Sequence, residues 1–290
     1  MSNGKPRLLR MESPFPEQHH TLHLLEPIDS SPESLWARLF SKTYDKPFII
    51  DCGVERRLQF DLYTVQSAMH REHPDRLILA YARKMMAFLL FKRAPARILL
   101  LGLGGGSLAK FCYRRLPEAA ITAVEVNPDV IALRDEFCIP ADDNRFRVLC
   151  EDGARYLATL GRSKDVILAD ACDREGIAPE LDTLEFYQAA HRCLSPDGIF
   201  VINVCGDANR AAAHVSKIRA VFGDQFMTLQ VRRDGNLILY AFKDRAPEID
   251  WQQVEATATE LKRKLGLDFP RYLRRIGLDW KLHRLEHVFI

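Results

Sequence analysis

The chain has 290 residues, of which 47% are hydrophobic and 28% are charged. That composition is typical of a globular protein and excludes a disordered chain. The 41 basic residues nearly balance the 39 acidic ones and leave a net charge of +2, which argues against a nucleic-acid or membrane partner. We therefore expect the partners to be small molecules or further copies of the chain.

No segment approaches the roughly 18 consecutive apolar residues of a membrane span. The N-terminus also lacks the apolar core of a signal peptide. The seven cysteines are scattered singly, which is typical of reduced thiols in the cytoplasm. No Cys/His cluster has the spacing of metal ligands. The sequence thus predicts a cytoplasmic protein without a metal.

The first third of the chain contains three different patterns. Residues 1–34 are rich in proline and polar residues and are predicted to form an irregular arm. The run FIIDCGVERRLQF, starting at Phe48, joins two β-rich stretches through a glycine turn, as in a hairpin. Residues 75–91 have apolar residues at helical spacing, which predicts a largely buried helix. Residues 35–95 are therefore expected to form a small β-hairpin domain with a linking helix.

From Arg97 onward, short apolar strands alternate with helices. The predicted strands are ILLLG, ITAVEV, FRVLC, DVILAD and GIFVINV. The helix after the second strand begins with Asn127 as N-cap and Pro128 at its first position. This alternation predicts an α/β, Rossmann-like domain with a doubly wound parallel sheet over residues 96–245. A helical C-terminal extension is expected over residues 246–290.

Three neighbouring strand ends carry the residue types that an adenosyl ligand needs. Gly102, Gly104 and Gly106 follow the first strand and let backbone amides approach a ligand closely. Glu125 ends the second strand, where a carboxylate accepts hydrogen bonds from ribose hydroxyls. Asp152 follows the third strand and suits an adenine amino group. Each feature alone also fits a tight turn or a helix cap, but their order favours a nucleoside site.

The ligand predicted from this loop has no phosphate. Ser107 stands where the dinucleotide fingerprint has its third glycine, and no GK[ST] phosphate loop is present. We therefore expect S-adenosylmethionine or its decarboxylated form as co-substrate. A Rossmann-like domain that binds such a sulfonium is of the class I methyltransferase-like type.

The segment from DVILADACD to LDTLEFYQAAHRCLSPDG carries a more specific pattern. It consists of two aspartates three residues apart, a helix with an FY pair, and L-x-P-x-G. With these motifs the chain resembles the spermidine synthase family of aminopropyltransferases, from about Phe48 to Tyr240. The resemblance implies that Asp170 is the general base, that Asp173 binds the substrate and that Gln66 contacts the donor. It also implies a small N-terminal β domain, no metal and a homodimer.

Two acids at one strand end suit a reaction of a cationic amine. The acceptor amine is protonated at neutral pH, and only its neutral form can attack the carbon beside the donor's sulfur. A carboxylate both attracts the ammonium group and accepts its proton as the new bond forms. The alternative is that Asp170 and Asp173 only form a turn after the strand, where aspartate is also favoured.

The chain departs from the family pattern in the residues that contact the donor's tail and the acceptor. Gly105 stands where the family has an aspartate that holds the donor's amino group, and Arg174 stands where it has proline. Arg83 lies roughly where the family has Gln or His near the donor, and the late aromatic and acidic acceptor residues are not recognisable.

Three functions follow from these patterns. We expect transfer of an aminopropyl group from decarboxylated S-adenosylmethionine to an amine. Gly105 and Arg174 keep open an S-adenosylmethionine-dependent methyltransferase of a small molecule, and a non-catalytic nucleoside-binding relative is the third alternative.

Overall fold

Two β-sheets form the framework of the protein in a computed structural model, which describes residues 8–14, 20–170, 178–231, 235–244 and 250–286. The first sheet is antiparallel, and its five strands follow one another in chain order. These strands are β1 (Leu9–Glu12), β2 (Thr21–Leu24), β3 (Phe48–Cys52), β4 (Glu55–Gln59) and β5 (Val65–His70). Helix α1 (Pro32–Phe40) lies between β2 and β3 and begins at the N-cap Ser31.

The small sheet is larger than the sequence suggests. The hairpin predicted from Phe48 is confirmed as β3 and β4. However, β1 and β2 lie within residues 1–34, where we expected an irregular arm. Each has only four residues, and in both the apolar residues alternate with polar ones and are buried, a short pattern that the surrounding prolines outweighed in the prediction. The two strands are stabilised by pairing with each other and with β3, and their inward side chains pack with α1.

The helix predicted over residues 75–91 begins later than expected. Leu77 pairs with Met69 in an isolated bridge, so the chain before Leu79 follows β5 instead of turning into a helix. Helix α2 (Ala80–Met85) then continues directly into a 3₁₀ helix (Met86–Leu90). The 3₁₀ residues are all buried, as the apolar run predicted.

The second sheet has seven strands and contains the predicted α/β unit. Its spatial order is β11-β12-β10-β9-β6-β7-β8. The strands are β6 (Arg97–Leu101), β7 (Ala120–Glu125), β8 (Phe146–Cys150), β9 (Lys164–Ala169), β10 (Leu194–Val204), β11 (Phe226–Gln230) and β12 (Leu237–Phe242). The chain order reverses between β6 and β9, and in such sheets the ligand crevice lies outside the carboxyl ends at this point.

Helices connect the strands of the second sheet and cover its faces. They are α3 (Ser107–Arg115), α4 (Pro128–Ala132), α5 (Gly153–Thr159), α6 (Leu184–Cys193) and α7 (Ala208–Phe222). A 3₁₀ turn (Pro179–Leu181) precedes α6. Asn127 and Pro128 open α4 as the sequence predicts.

The doubly wound sheet is mixed, whereas the sequence predicts a parallel one. Strands β6 to β10 pair in parallel, but β12 is antiparallel to β10 and to β11. The connection from β11 to β12 is too short for a parallel crossover, so these strands form a hairpin at the edge of the sheet.

Two helices form the C-terminal extension, α8 (Trp251–Leu265) and α9 (Phe269–Glu286). Asp250 caps the first, and Gly266 ends it in a left-handed conformation. Phe269, Leu273 and Ile276 are buried in the same core as the inward side chains of β11. The helical extension thus covers the edge hairpin.

An ion-pair cluster links the two sheets. Arg56 on β4 donates from Nε to Asp51 at 2.7 Å and from Nη1 to Glu136, beyond α4, at 2.7 Å. Its side chain is only 13% exposed, so water screens these charges weakly. The guanidinium and the neighbouring His23 hold the pKa of the Asp51 carboxyl well below its usual range, against the effect of burial.

The cysteines differ in part from expectation. Five of them are free thiols, namely Cys52, Cys112, Cys138, Cys150 and Cys193. Cys205, directly after β10, is disulfide-bonded, so the prediction of a reduced thiol is wrong at this position. Within the part of the chain described, no helix is long and apolar enough to cross a membrane.

Candidate functional site

A glycine loop joins β6 to α3 at the point where the strand order reverses. Gly102, Gly104 and Gly106 have φ values of +94°, +51° and +66°, a region that residues with a Cβ rarely adopt. Gly102 donates its amide to Val124 O at 2.8 Å, which keeps the start of the loop beside β7. The three predicted glycines are thus required by the backbone conformation of this turn.

The remaining glycine of the loop, Gly105, is closely packed on the side where a side chain would begin. A Cβ at this position would lie 2.8 Å from Ser67 Oγ on β5 and 2.9 Å from the Phe137 ring. Ser67 is buried, and its hydroxyl contacts that of Ser107 at 3.2 Å. The absence of an acid at residue 105 is therefore matched by a serine and an aromatic ring in the space that a side chain would need.

Glu125 is anchored to the glycine loop. Its Oε2 accepts hydrogen bonds from the amides of Leu103 at 2.9 Å and Gly104 at 3.4 Å, and its Oε1 accepts one from Asn127 N at 2.9 Å. Each carboxylate oxygen has lone pairs left for further donors. Glu125 lies at the predicted strand end, fixed in orientation, with capacity for the hydroxyls of a ribose.

Two further residues, Val126 and Asp152, follow β7 and β8 at the same edge of the sheet. Asp152 caps α5 by accepting from Arg155 N at 2.7 Å through Oδ1, so it has the helix-cap role that the sequence also allowed. Val126, directly after Glu125, is 64% exposed and presents an apolar surface. Sequence reasoning missed Val126, although an aliphatic residue exposed after a strand is the kind of surface on which a planar base can lie.

Asp170 lies beside the glycine loop at the end of β9. Its amide donates to Leu101 O at 2.9 Å, which fixes it next to the first residue of the loop. Its Oδ1 accepts from Asn203 Nδ2 at 3.0 Å, and Tyr81 donates a second hydrogen bond to the carboxyl. Burial raises the pKa of Asp170 to about 6, against the smaller opposite effects of these two donors. The site therefore holds a carboxylate that exchanges a proton close to neutral pH.

Two of the groups around Asp170 come from unexpected places. Tyr81 belongs to α2, where the apolar pattern predicted only core residues, and its hydroxyl also lies 3.4 Å from Gln66 O. Asn203 is 2% exposed near the end of β10 and accepts a hydrogen bond from Asn236 Nδ2 at 2.9 Å. The usable sequence signal was Asn203 itself, a polar residue within the otherwise apolar run GIFVINV.

The remaining predicted residues have different outcomes. Gln66 lies on β5 of the small sheet, and its backbone carbonyl reaches the Tyr81 hydroxyl beside Asp170. Arg83 donates to the carbonyls of Leu77 at 3.1 Å and Ile78 at 2.6 Å, which anchors the segment before α2. Asp173 and Arg174 lie outside the described residues, so their placement stays a prediction. Across the ranges that the structure describes, no group of three or more His, Cys, Asp or Glu residues could hold a metal.

Comparisons with known proteins identify the family of the chain. A family model described as spermine/spermidine synthase domain matches residues 79–229. A polyamine aminopropyltransferase of Chromobacterium violaceum is 36% identical over 225 residues, covering 77% of this chain and 86% of that protein.

Solved structures show the same fold. A probable spermidine synthase of Corynebacterium glutamicum is 20% identical, with a TM-score of 0.63 over 74% of this chain and 84% of that one. Human methyltransferase-like protein 13, solved in complex with SAH, is 26% identical, with a TM-score of 0.58 over 65% of this chain and 93% of that one.

Fold and site together define a protein of the class I methyltransferase-like fold with an added N-terminal antiparallel sheet. Within that class, the chain belongs to the spermine/spermidine synthase family. The resemblance noted in the sequence is thereby confirmed.

Proposed function

We propose that this protein is an aminopropyltransferase that moves the aminopropyl group of decarboxylated S-adenosylmethionine to an amine. The observation that carries the proposal is Asp170, whose carboxyl has a pKa of about 6 beside the glycine loop. The family assignment and the relative named polyamine aminopropyltransferase support the same reaction. A base with this pKa is ionised at neutral pH and can still take up a proton during the reaction.

In this reaction the amine nitrogen attacks the propyl carbon beside the sulfonium. The N–C bond forms as the C–S bond breaks, and the sulfur leaves as neutral methylthioadenosine. Asp170 attracts the ammonium form of the acceptor and takes its proton, so the nitrogen carries a lone pair when it attacks. Asn203 and Tyr81 would orient the carboxylate. Gln66 and Asp173 stay predicted contacts of donor and acceptor, respectively.

The donor would lie across the carboxyl ends of β6, β7 and β8. The backbone of Gly102, Gly104 and Gly106 would pass close beneath it, and Glu125 would accept from the ribose hydroxyls. The cap role of Asp152 uses Oδ1 and leaves its other oxygen for an adenine amino group.

One observation favours a second candidate, methyl transfer from S-adenosylmethionine. A neutral serine and a phenyl ring fill the space around Gly105, so nothing there repels the carboxylate of that donor. The two reactions differ in their products, methylthioadenosine in one and S-adenosylhomocysteine in the other.

The test is incubation of the purified protein with each donor and a diamine, followed by mass spectrometry of the nucleoside product. We expect methylthioadenosine from the decarboxylated donor. Asp170→Asn should lower kcat by about 10²–10⁴-fold, with calorimetric donor binding retained. Asp197→Asn is the matched control, because Asp197 is an exposed aspartate near the opposite end of β10. S-adenosylhomocysteine formation, or full activity of Asp170→Asn, would refute the proposal.

The pH dependence gives a second readout. Because the base must be ionised, log(kcat/KM) should fall by about one per pH unit below the pKa of about 6. A homodimer stays a prediction that rests on the resemblance. A cytoplasmic location and the domain boundaries at residues 34, 95 and 245 stay predictions that rest on sequence patterns.

A further inference from the structure

The amide groups of Asn203 and Asn236 form a directed chain that ends at Asp170. Asn236 Nδ2 lies 2.9 Å from Asn203 Oδ1, and Asn203 Nδ2 lies 3.0 Å from Asp170 Oδ1. Asn203 is 2% exposed and Asn236 is 9% exposed. Water therefore has little access to compete for these hydrogen bonds, and an unmade bond here would be costly.

Only one orientation of the two amides suits an ionised Asp170. A carboxylate can only accept hydrogen bonds, so Asn203 must turn its NH₂ group toward Asp170. Its carbonyl oxygen then points away from Asp170 and needs a donor. Asn236 provides that donor. If the Asn203 amide flipped, its oxygen would face the carboxylate and its NH₂ group would face the NH₂ group of Asn236.

The backbone fixes Asn236 in place. It lies just before β12, and its carbonyl accepts from Val231 N at 2.8 Å across the hairpin connection. Its neighbour Leu237 is paired with Val204 on β10, the residue after Asn203. The register of β12 against β10 thus brings the two amides side by side.

We propose that Asn236 is a positioning residue, which keeps Asn203 oriented as a hydrogen-bond donor to Asp170. Asn236 bonds to Asn203, and Asn203 bonds to the carboxylate, so the influence of Asn236 on Asp170 passes through Asn203. The proposal rests on the proposed role of Asp170 as base. Asn236 would thereby help to keep the Asp170 carboxylate ionised at a pH where burial alone would favour the protonated form.

The experiment is a direct titration of Asp170 in the full-length protein. Carboxyl resonances of protein labelled with ¹³C-aspartate are followed against pH, and the Asp170 signal is assigned by its loss in Asp170→Asn. Asn236→Leu has nearly the same shape but cannot donate. We expect it to raise the pKa of Asp170 by about one unit, because a donor that favours the ionised form is no longer held in place. The acid limb of kcat/KM should move by the same amount.

A double-mutant cycle separates positioning from a general structural effect. In an Asn203→Ala background, Asn236→Leu should leave the pKa of Asp170 unchanged, since the connecting amide is gone. Thr228→Val, which alters another buried polar residue of the same hairpin, should also leave it unchanged. Equal shifts in both backgrounds, or no shift in folded Asn236→Leu, would overturn the proposal. The titration needs no turnover, so these results stand apart from those that would refute aminopropyl transfer.

Discussion

Lys110 offers a quantitative test of how the glycine loop is supported. It lies on α3, is 2% exposed, and donates from Nζ to Phe137 O at 2.6 Å. Burial lowers its pKa from 10.5 to about 7. Phe137 in turn packs against the position of Gly105, and Ile139 against Gly106. The lysine thus holds in place the segment that backs the loop.

The lowered pKa makes stability depend on pH in a definite direction. Between about pH 7 and 10.5 the folded state binds fewer protons at Lys110 than the unfolded state, so stability rises with pH through this window. Each unit of pKa difference corresponds to about 1.4 kcal/mol. From pH 6.5 to pH 9.5, the wild-type protein should gain about 3 kcal/mol from this group.

Lys110→Met keeps the length of the side chain and removes the charge. The free energy of unfolding of the variant should not show the gain of the wild type with rising pH. The wild type should therefore become about 3 kcal/mol more stable relative to the variant from pH 6.5 to pH 9.5. At the alkaline end the variant should be the less stable protein, because Phe137 O has lost its donor, at a cost of about 1–3 kcal/mol.

The assay is urea unfolding of both proteins at half-unit intervals of pH. Lys264→Met on α8 is the control, since Lys264 is exposed, and its curve should run parallel to that of wild type. Parallel curves for Lys110→Met as well would show that Lys110 does not change its protonation between the folded and unfolded states in this window. The linkage argument would then be refuted.

Two further substitutions test the packing of the loop and the link between the sheets. Gly106→Ala adds a Cβ 2.5 Å from Ile139 at a φ of +66°, and should cost about 2–4 kcal/mol of unfolding free energy. Gly266→Ala, at φ +73° in the same left-handed region but with no atom within 4 Å, should cost only about 1–2 kcal/mol, and equal losses in urea unfolding would contradict the packing argument. Arg56→Met should cost about 1–3 kcal/mol, because Asp51, which is 12% exposed, loses the guanidinium and keeps His23 as a partner. The ion pair stabilises the wild type above the ordinary Asp51 pKa of 3.8, and this stabilisation is lost as the pH falls. The variant should therefore lose less stability than the wild type between pH 5 and pH 3. An acid unfolding profile identical to that of the wild type would exclude this role.

Local patterns were sufficient to predict where the glycine loop and Glu125 lie. The positions of the loop at Gly102–Gly106 and of Glu125 could each be predicted from one strand, because the end of a strand fixes where the next residues lie. Asp170 could be placed for the same reason. The raised pKa of Asp170 could not be predicted from the sequence, because it depends on burial by residues from other elements.

The surroundings of Asp170 depend on contacts between distant parts of the chain. Asn236 reaches Asn203 only through the register of β12 against β10, and the sequence does not specify that register. Tyr81 lies in a helix whose apolar pattern gives no reason to single out one aromatic residue. The short strands β1 and β2 escaped prediction because each has only four residues and depends on a partner strand, β1 on β2 and β2 on β3.

The close approach of Ser67 to Gly105 has a consequence for recombination between relatives. Ser67 lies on β5 of the first sheet, and Gly105 lies in the loop that follows β6 of the second sheet. The space for a side chain at residue 105 therefore depends on which side chain stands at residue 67. A chimera that joins the N-terminal sheet of one relative to the catalytic sheet of another therefore inherits a mismatched pair whenever its parents differ at these positions. Residues 67 and 105 should therefore be exchanged together, although 37 intervening residues separate them in the chain.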